Sequence, residues 1–259
     1  MAGSPAPETS FAARLKAGER LIGTFIKIPS VHATEVLGAL GFDFVVIDQE
    51  HAPLDLTQID TLILAARASG MAALVRISDP APANILSLLD CGAAGILAPH
   101  VDGAEKAAAI ASACRYRGGT RGFSRTGRAG GYGSAAVEEH VARQDADVLC
   151  IAMIEDPQAI PVIDEIVAVT GIDAVFVGRG DLSVAMGETK MSAPPVLEAS
   201  AKVGAATRAA GKPLLMLAEN PADQVAMAAL GATSFLVGSD LGFLRKAASQ
   251  ALAAHTKDI

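Results

Sequence analysis

Short apolar runs rich in β-branched residues alternate along the chain with Ala- and Leu-rich stretches whose apolar positions have helical spacing. Runs that alternate in this way predict a parallel sheet covered on its outer face by helices. The eight predicted strands cover Leu21–Ile28, Asp43–Asp48, Ala72–Ile77, Gly95–His100, Leu149–Glu155, Asp173–Gly178, Pro213–Ala218 and Thr233–Gly238. Eight strand–helix pairs in 259 residues favour an α/β fold, a closed (β/α)8 TIM barrel, over an open doubly wound sheet.

The predicted helices are punctuated by residues that helices commonly use at their ends. A glycine follows many of the helical stretches, where a left-handed residue is favoured, and Pro157 and Pro221 suit a first helical turn. No linker divides the chain, so we expect a single domain over residues 1–259, with residues 1–18 as an N-terminal extension or helix. The predicted helices cover Ala33–Leu40, Thr57–Ser69, Ala83–Asp90, Ala104–Cys114, Ser134–Ala146, Pro157–Val169, Pro195–Ala210, Ala222–Leu230 and Leu241–His255.

Composition and charge exclude several classes of partner. The chain is 51% hydrophobic and carries a formal net charge of −7, whereas a nucleic-acid partner would demand a basic face. No apolar stretch approaches the ~20 residues of a membrane span, and the start MAGSPAPETS lacks the parts of a secretory signal, so we expect no membrane partner. The three cysteines have neither zinc-type spacing nor an even count, which favours a reducing cytoplasm.

Polar side chains stand where most of the predicted strands end. In a (β/α)8 barrel these carboxyl ends surround the active site. A single polar residue there is explained equally well by solvation, but carboxylates at the tips of neighbouring strands are not. The polar residues at strand ends are Lys27, Asp48, Glu50, His51, Arg76, His100, Glu155, Asp181, Ser239 and Asp240.

Glu155 and Asp181 follow the fifth and sixth predicted strands, which are neighbours in the barrel. Two close carboxylates repel each other, and both stay ionised only when a cation lies between them. Oxygen ligands without cysteine select a hard ion, Mg²⁺ or Mn²⁺, with Co²⁺ as a further option. The alternative is an acid–base pair of the glycosidase kind, in which one carboxyl group keeps its proton.

Arg76 and His51 are the candidates for handling negative charge and protons. Arg76 ends an otherwise apolar strand, where a guanidinium group is costly unless it meets an anion. That anion is either a substrate oxygen or, in a structural interpretation, Glu50 or Asp48. Histidine is the side chain best suited to carry protons at neutral pH, and His51 follows a buried strand, although a lone histidine is more often structural.

Residues 115–133 interrupt the alternation with a loop that contains seven glycines and five arginines. Loops of this length in compact domains are usually functional or disordered. Glycine amides and arginines bind anions, but the loop matches no phosphate-binding motif. A mobile lid or an arm that reaches a neighbouring subunit is an equal expectation.

Several segments in this order resemble a known family. They are VVIDQEHAPLDL, LVRISD, LLDCGAAGILAPHV, GTRGF, IEDPQAI and GIDAVFVGRGDLSVAMG. From about residue 20 to 245 the chain resembles the metal-dependent (class II) pyruvate aldolases of the HpcH/HpaI family, which includes 4-hydroxy-2-oxoheptanedioate and 2-dehydro-3-deoxyglucarate aldolases. Two departures stand out: Arg179 replaces a usual proline, and Arg117–Gly119 replaces a Pro-Pro-Gly-like turn.

The resemblance implies a role for each matching position. It implies Glu155 and Asp181 as metal ligands, Arg76 as the contact to the keto oxygen, and His51 with Asp90 as a base dyad that acts through water. It further implies that Asp48 and Glu50 hold metal-bound waters or the histidine. The backbone that would receive the substrate carboxylate comprises Gly178, Gly180, Asp181 and Leu182.

The implied reaction is the cleavage or formation of 4-hydroxy-2-oxo acids from pyruvate, or a similar 2-oxo acid, and an aldehyde. No Schiff base is required, so Lys27 is not expected to be a nucleophile. One alternative is a carbon–carbon lyase of the citrate lyase β or malyl-CoA lyase type, whose coenzyme A would need a basic groove. Another is a non-catalytic barrel that binds an anion. Partners implied by the resemblance are the two small molecules and further copies of the chain, as a homohexamer (a trimer of dimers).

Overall fold

A computed structural model describes residues 10–256 of the chain. In this part, eight parallel strands form a closed barrel in chain order, as predicted. Each strand pairs with the next one, and the last strand pairs with the first. The strands are β1 (Leu21–Ile26), β2 (Phe44–Asp48), β3 (Ala72–Arg76), β4 (Gly95–Ala98), β5 (Leu149–Ile154), β6 (Ala174–Val177), β7 (Leu214–Leu217) and β8 (Ala232–Ser239).

Helices follow the strands and form the outer layer. Capping side chains explain several of their starts: Ser30 and Asp55 accept hydrogen bonds from the third residue beyond them, and Asp55 forms a reciprocal capping box with Gln58. The helices are α1 (Phe11–Lys16), α2 (Val31–Ala39), α3 (Leu56–Ala68), α4 (Pro82–Asp90), α5 (Ala104–Ala113), α6 (Val137–Asp147), α7 (Ile163–Ala168), α8 (Arg179–Ala185), α9 (Pro194–Ala209), α10 (Pro221–Ala229) and α11 (Asp240–Thr256).

The two-residue period of the strands divides the buried apolar residues into two cores. One core lies between the strands and the helices and includes Val45, Val75 and Ile96. The other fills the barrel and includes Val46 and Leu74. Because successive side chains point to opposite faces, the residues that continue the inward set at the carboxyl ends of the strands face the mouth of the barrel.

The amino-terminal end of the barrel is closed by α1. Its residues Ala12 and Leu15 are buried with the interior core, and the rings of Phe11 and Phe44 lie 5.2 Å apart. Gly23 on β1 makes room for Phe44, because a Cβ atom at this position would lie 2.5 Å from the ring. The open end is therefore the carboxyl end of the strands, where the site residues were predicted.

The last helix, α11, is largely exposed beyond its first residue. Of its 17 residues only Asp240 is buried, and Leu241, Leu244 and Leu252 are 47%, 59% and 67% exposed. None of the helices in the described part of the chain has the length and apolar character needed to cross a membrane.

The structure departs from the predicted elements chiefly at two places. A helix that was not predicted, α8, begins directly after β6. Gly178 is its N-cap residue and Arg179 its first residue. The predicted helix Pro157–Val169 is split into a 3₁₀ turn, Pro157–Ala159, and α7. In the N-terminal segment 1–18, which was expected to be an extension or a helix, α1 covers Phe11–Lys16, and residues 1–9 lie outside the described residues.

Candidate active site

A cavity of about 340 Å³ opens at the carboxyl ends of the strands. Side chains that point into the barrel near the carboxyl ends of the strands line the floor of this cavity. Asp48 and Arg76 lie side by side there because they are register partners at the ends of β2 and β3. The polar residues that line this cavity are Lys27, His51, Arg76, Arg179, Asp181 and Ser239.

Asp48 and Arg76 form a buried pair with two hydrogen bonds. The Nε and Nη2 atoms of Arg76 donate to the two carboxylate oxygens of Asp48 at 2.9 and 2.7 Å, and Lys27 Nζ lies 3.0 Å from Oδ2. The guanidinium group also lies over the Phe25 ring at 4.8 Å. Burial acts to raise the pKa of Asp48, but the Arg76 hydrogen bond and charge outweigh it and lower that pKa. Asp48 is therefore ionised and holds Arg76 in place.

Glu50 lies between Arg76 and two histidines. Its Oε2 atom is 3.4 Å from Arg76 Nη1 and 3.6 Å from His51 Nε2, while Oε1 is 3.6 Å from His100 Nε2. His51 is half exposed, and its backbone N–H donates to Asp48 at 3.1 Å. The DQEH segment thus forms a turn that is tied to Asp48 and presents His51 at the cavity.

Glu155 is a buried carboxylate with one unsatisfied oxygen. It is 1% exposed; Oε1 accepts a hydrogen bond from the backbone N–H of His100 at 2.9 Å, whereas Oε2 is buried and has no hydrogen-bond partner among residues 10–256. Burial is the main cause that raises the pKa of Glu155 to about 7, opposed by His100 and reinforced by Asp181 and Glu50. Burial therefore disfavours the charged form of this carboxyl group, and a positive charge close to it would favour that form.

Asp181 lies in the first turn of α8 and lines the same cavity. Gly178 leaves the space beside Glu155 open, since a Cβ atom there would lie 2.6 Å from Glu155 Oε2. Gly180 also lines the cavity, whereas Leu182 is fully buried behind it. Within residues 10–256, no three His, Cys, Asp or Glu side chains are arranged to hold a metal ion.

His100 lies close to Glu50 and Glu155, although it was predicted only as one of the polar residues at the strand ends. Its backbone occupies the left-handed region (φ 54°), and its ring lies 3.0 Å from Asp156 and 3.6 Å from Glu155. A non-glycine residue in this region costs about 1–3 kcal/mol, and such strain clusters at functional sites. The signal in the sequence was its position at the end of the fourth predicted strand, since the other rim residues also stand at strand ends.

Comparison with known proteins identifies the family. The sequence profile described as "HpcH/HpaI aldolase/citrate lyase" matches residues 21–247. The chain belongs to the HpcH/HpaI aldolase/citrate lyase family. Membership makes it a lyase in the broad sense that covers aldolases, in agreement with the resemblance seen in the motifs.

Relatives in the HpcH/HpaI family match nearly the whole chain. The 5-keto-4-deoxy-D-glucarate aldolase of Salmonella newport is 37% identical over 245 residues, which are 94% of each chain. Among solved structures, citrate synthase SbnG has a TM-score of 0.87 at 30% identity and covers 96% of this chain and 98% of its own. An HpcH/HpaI aldolase from Desulfitobacterium hafniense has a TM-score of 0.91 at 27% identity, covering 96% and 97%.

The structure does not bring Asp90 to His51 within one chain. Asp90 ends α4, which starts beyond the carboxyl end of β3 and returns to the start of β4, so the two residues lie at opposite ends of the barrel. The nine residues of α4 alone span about 13 Å. Asp90 instead accepts a hydrogen bond from the buried Arg121 at 3.2 Å. Asp90 and His51 of the same chain therefore do not form a dyad in this structure.

The loop 115–133 packs against the outside of the barrel rather than over the cavity. It contacts α4 and α6, and it contains a short 3₁₀ segment at Arg128–Gly133. Four of its five arginines form salt bridges with acidic side chains: Arg115 with Asp173, Arg117 with Glu138, Arg121 with Asp90 and Arg128 with Asp60. The loop is thus neither a lid over its own cavity nor a groove of unpaired arginines.

Proposed function

We propose that this chain is a divalent-metal-dependent aldolase that cleaves or forms 4-hydroxy-2-oxo acids, with pyruvate or a similar 2-oxo acid as one partner and an aldehyde as the other. The observation that carries the proposal is the buried Oε2 of Glu155, which has no hydrogen-bond partner and faces the space kept open by Gly178. A buried carboxylate in such surroundings is satisfied by a cation.

The residues around this oxygen fit a hard divalent ion. Glu155 and Asp181 would hold it with carboxylate oxygens, and water and the substrate would complete its coordination, as is usual for Mg²⁺ and Mn²⁺. One or two protein carboxylates are the usual protein ligands of Mg²⁺, and such a site leaves coordination positions for water and substrate. The bound ion would supply Lewis-acid stabilisation of charge on the 2-oxo oxygen.

The chain's own residues then account for charge and proton transfer. In cleavage, the C4 hydroxyl group loses its proton, the C3–C4 bond breaks, and its electron pair passes to the 2-oxo acid as an enolate while the aldehyde leaves. Arg76, held by Asp48, directs Nη1 toward Glu50 and the cavity, where it can donate to the developing oxyanion. His51 lines the same cavity and is the group we assign to receive the C4 hydroxyl proton.

We further propose that the His51 base dyad, if Asp90 contributes to it, forms between two copies of the chain. Asp90 lies at the opposite end of its own barrel, so only a neighbouring barrel could present it to His51. This expectation agrees with the implied homohexamer. It also assigns a place to the loop 115–133, whose Arg121 holds Asp90 and whose Phe123 and Tyr132 are 52% and 72% exposed.

Two alternatives receive less support from the geometry. A coenzyme A thioester lyase would need a basic groove, and the arginines expected to form it are paired with acidic side chains. A non-catalytic anion-binding barrel would leave unexplained the isolated Glu155 oxygen and the strained His100 beside it.

The test is an assay of cleavage and synthesis with a panel of substrates. The first compound is 5-keto-4-deoxy-D-glucarate, named in the Salmonella relative, followed by pyruvate or hydroxypyruvate with a series of aldehydes. We expect release of a 2-oxo acid or formation of a 4-hydroxy-2-oxo acid. Cleavage of malyl-CoA or citryl-CoA instead would favour the coenzyme A lyase. No turnover, with no rise in Tm on adding Mn²⁺ and oxalate, would favour the non-catalytic barrel.

A further inference from the structure

Arg179 is a buried cation that no step of the proposed reaction uses. It is the first residue of α8 and is 2% exposed, although it stands at the rim of the cavity. Its Nη1 and Nη2 atoms donate to the two oxygens of Asp223 at 3.0 and 2.5 Å, and Nη2 also donates to the carbonyl oxygen of Leu217 at 2.8 Å. The side chain therefore connects the end of β6 with the end of β7 and with α10.

Asp223 joins this contact to the loop between β7 and α10. It lies in the first turn of α10, whose N-cap residue Asn220 accepts from the Asp223 backbone N–H. The Oδ2 atom of Asp223 also accepts a hydrogen bond from the backbone N–H of Glu219 at 3.0 Å. Burial acts to raise the pKa of Asp223, but the Arg179 hydrogen bond outweighs it and lowers that pKa. The ion pair thus joins the start of α8 to the start of α10 at the mouth of the barrel.

The segment that Arg179 anchors has little stiffness of its own. It reads Gly178-Arg179-Gly180-Asp181, so a glycine stands on each side of the arginine, and a Cβ atom at Gly180 would have nothing within 4 Å. Glycine loses the most conformational freedom on folding and holds no preferred angle by itself. An anchor outside the segment is needed to fix where Asp181 points, and a bidentate guanidinium–carboxylate pair supplies fixed geometry.

We propose that Arg179, through its pair with Asp223, is a positioning residue that holds Asp181 and the adjoining backbone in the geometry needed for the metal and the 2-oxo acid. The pair takes over the task of the proline that the motif resemblance places at this position. Proline would stiffen the same segment through its fixed φ, and it is well suited to the first position of a helix. This inference rests on the proposed function for its link to the substrate, but not for the mechanical role of the pair.

The test compares two double variants in which no charge is left unpaired. Arg179→Met with Asp223→Asn removes the anchor, and Arg179→Pro with Asp223→Asn replaces it by a rigid ring. We expect the Met–Asn variant to raise the KM for the 2-oxo acid and the midpoint of a Mn²⁺ titration by about tenfold or more. The Pro–Asn variant should recover most of that loss. Hydrogen exchange of the segment 178–181 should rise in the first variant and fall again in the second.

The matched control is Arg115→Met. Arg115 forms a similar, largely buried pair with Asp173, but at the amino-terminal end of the barrel. The Arg115→Met variant should have a lower Tm, whereas its KM, its Mn²⁺ midpoint and the hydrogen exchange of segment 178–181 should equal those of the wild type. The proposal is overturned if the Met–Asn variant matches the wild type in these measurements, if proline restores nothing, or if Arg115→Met has the same effects.

The same design separates this proposal from the proposed function. If the wild type cleaves no 4-hydroxy-2-oxo acid, the aldolase assignment fails, whereas the Mn²⁺ midpoints and the hydrogen exchange still decide the role of Arg179. If Mn²⁺ does not bind the wild type either, exchange of segment 178–181 alone decides whether the pair positions it.

Discussion

At the scale of single residues, the buried carboxylates Asp48 and Glu155 at the rim differ in what satisfies their charge. Asp48 accepts two hydrogen bonds from Arg76 and lies near Lys27, which lowers its pKa. Glu155 accepts one backbone hydrogen bond, and its second oxygen has no partner, so its pKa rises to about 7. Carboxylates whose pKa values are pushed apart by their surroundings commonly have different tasks in one active site. Here the difference supports our proposal that Asp48 holds Arg76 and that Glu155 binds a cation.

The raised pKa of Glu155 predicts how the stability of the metal-free protein depends on pH. The folded state keeps the Glu155 proton up to about pH 7, whereas the unfolded chain loses it near pH 4.5. The folded state therefore binds more protons in this window, and the contribution of Glu155 to the free energy of unfolding falls as pH rises, by on the order of 3 kcal/mol. Urea unfolding in EDTA between pH 4.5 and 7, compared with Glu155→Gln, measures this contribution.

The control for this titration is Glu198→Gln, since Glu198 is exposed on α9 away from the site. It should have the same pH profile as the wild type. Adding Mn²⁺ should reverse the loss of stability above pH 6 in the wild type and not in Glu155→Gln. A wild-type profile that coincides with that of Glu155→Gln would contradict the assigned environment of Glu155.

Arg76 is expected to serve both stability and turnover. In Arg76→Ala we predict a kcat lower by on the order of 10²–10³, because one oxyanion donor is lost. Unfolding should also become easier, since Asp48 keeps only Lys27 as a charged partner. The control is Arg14→Ala, which breaks a partly buried pair with Asp43 at the other end of the barrel and should lower stability alone. Near-wild-type kcat in Arg76→Ala would rule out its assigned role.

At the scale of elements, strand periodicity made the barrel predictable. Continuous apolar runs mark strands buried on both faces, and the inward-facing positions continue at the strand ends to Asp48, Arg76 and Glu155. The helix α8 was not predicted because seven residues with a glycine among them have too weak a helical pattern. Its start depends on the Gly178 cap and on the Arg179–Asp223 pair, a contact between residues 44 positions apart in sequence.

The positions of Asp90 and His100 could not be predicted from the sequence either. Asp90 is the last residue of the amphipathic helix α4. The motif resemblance pairs it with His51, but the sequence does not show which end of the barrel Asp90 reaches. The left-handed backbone of His100 has no sequence signature either, since nothing local demands φ 54° there. In both cases the position follows from tertiary packing rather than from local pattern.

The fit between β1 and β2 gives a prediction about the barrel interior. Gly23→Ala should lower the free energy of unfolding by about 1–3 kcal/mol, because its Cβ atom would lie 2.5 Å from the Phe44 ring inside a packed core. Gly180→Ala is the matched change in open space and should leave stability equal or slightly higher, since alanine favours the helix α8. Equal stability of Gly23→Ala and the wild type would mean that the interior is not packed as described. Chemical denaturation measures both.

At the scale of the whole molecule, an apolar face of α11 is exposed and is covered by none of the residues that the structure describes. A cavity of about 400 Å³ along α10, lined by Val225, Ala228 and Phe235, is also uncovered. We expect further copies of the chain to cover these surfaces, because exposed apolar area of this kind marks an interface. The homohexamer implied by the motif resemblance is the assembly to test.

Charges introduced on the apolar face of α11 should therefore disrupt assembly. Leu244→Glu with Leu252→Glu is expected to shift the sedimentation coefficient toward smaller species while the circular dichroism spectrum stays unchanged, since neither side chain supports the fold of its own chain. Lys246→Glu with Gln250→Glu changes charge on the other face of the same helix and should not shift it. A wild type that sediments as a monomer would refute the expected assembly.

The most direct test of the whole account measures the release of 2-oxo acid from a 4-hydroxy-2-oxo acid before chelation, after removal of metal with EDTA, and after return of Mn²⁺. We predict that turnover is lost on chelation and restored by Mn²⁺ in the wild type, and that Mn²⁺ restores nothing in Glu155→Gln or Asp181→Asn. Turnover that persists through chelation, or that survives in both variants, would contradict the assignment of Glu155 and Asp181 as the ligands of a catalytic cation.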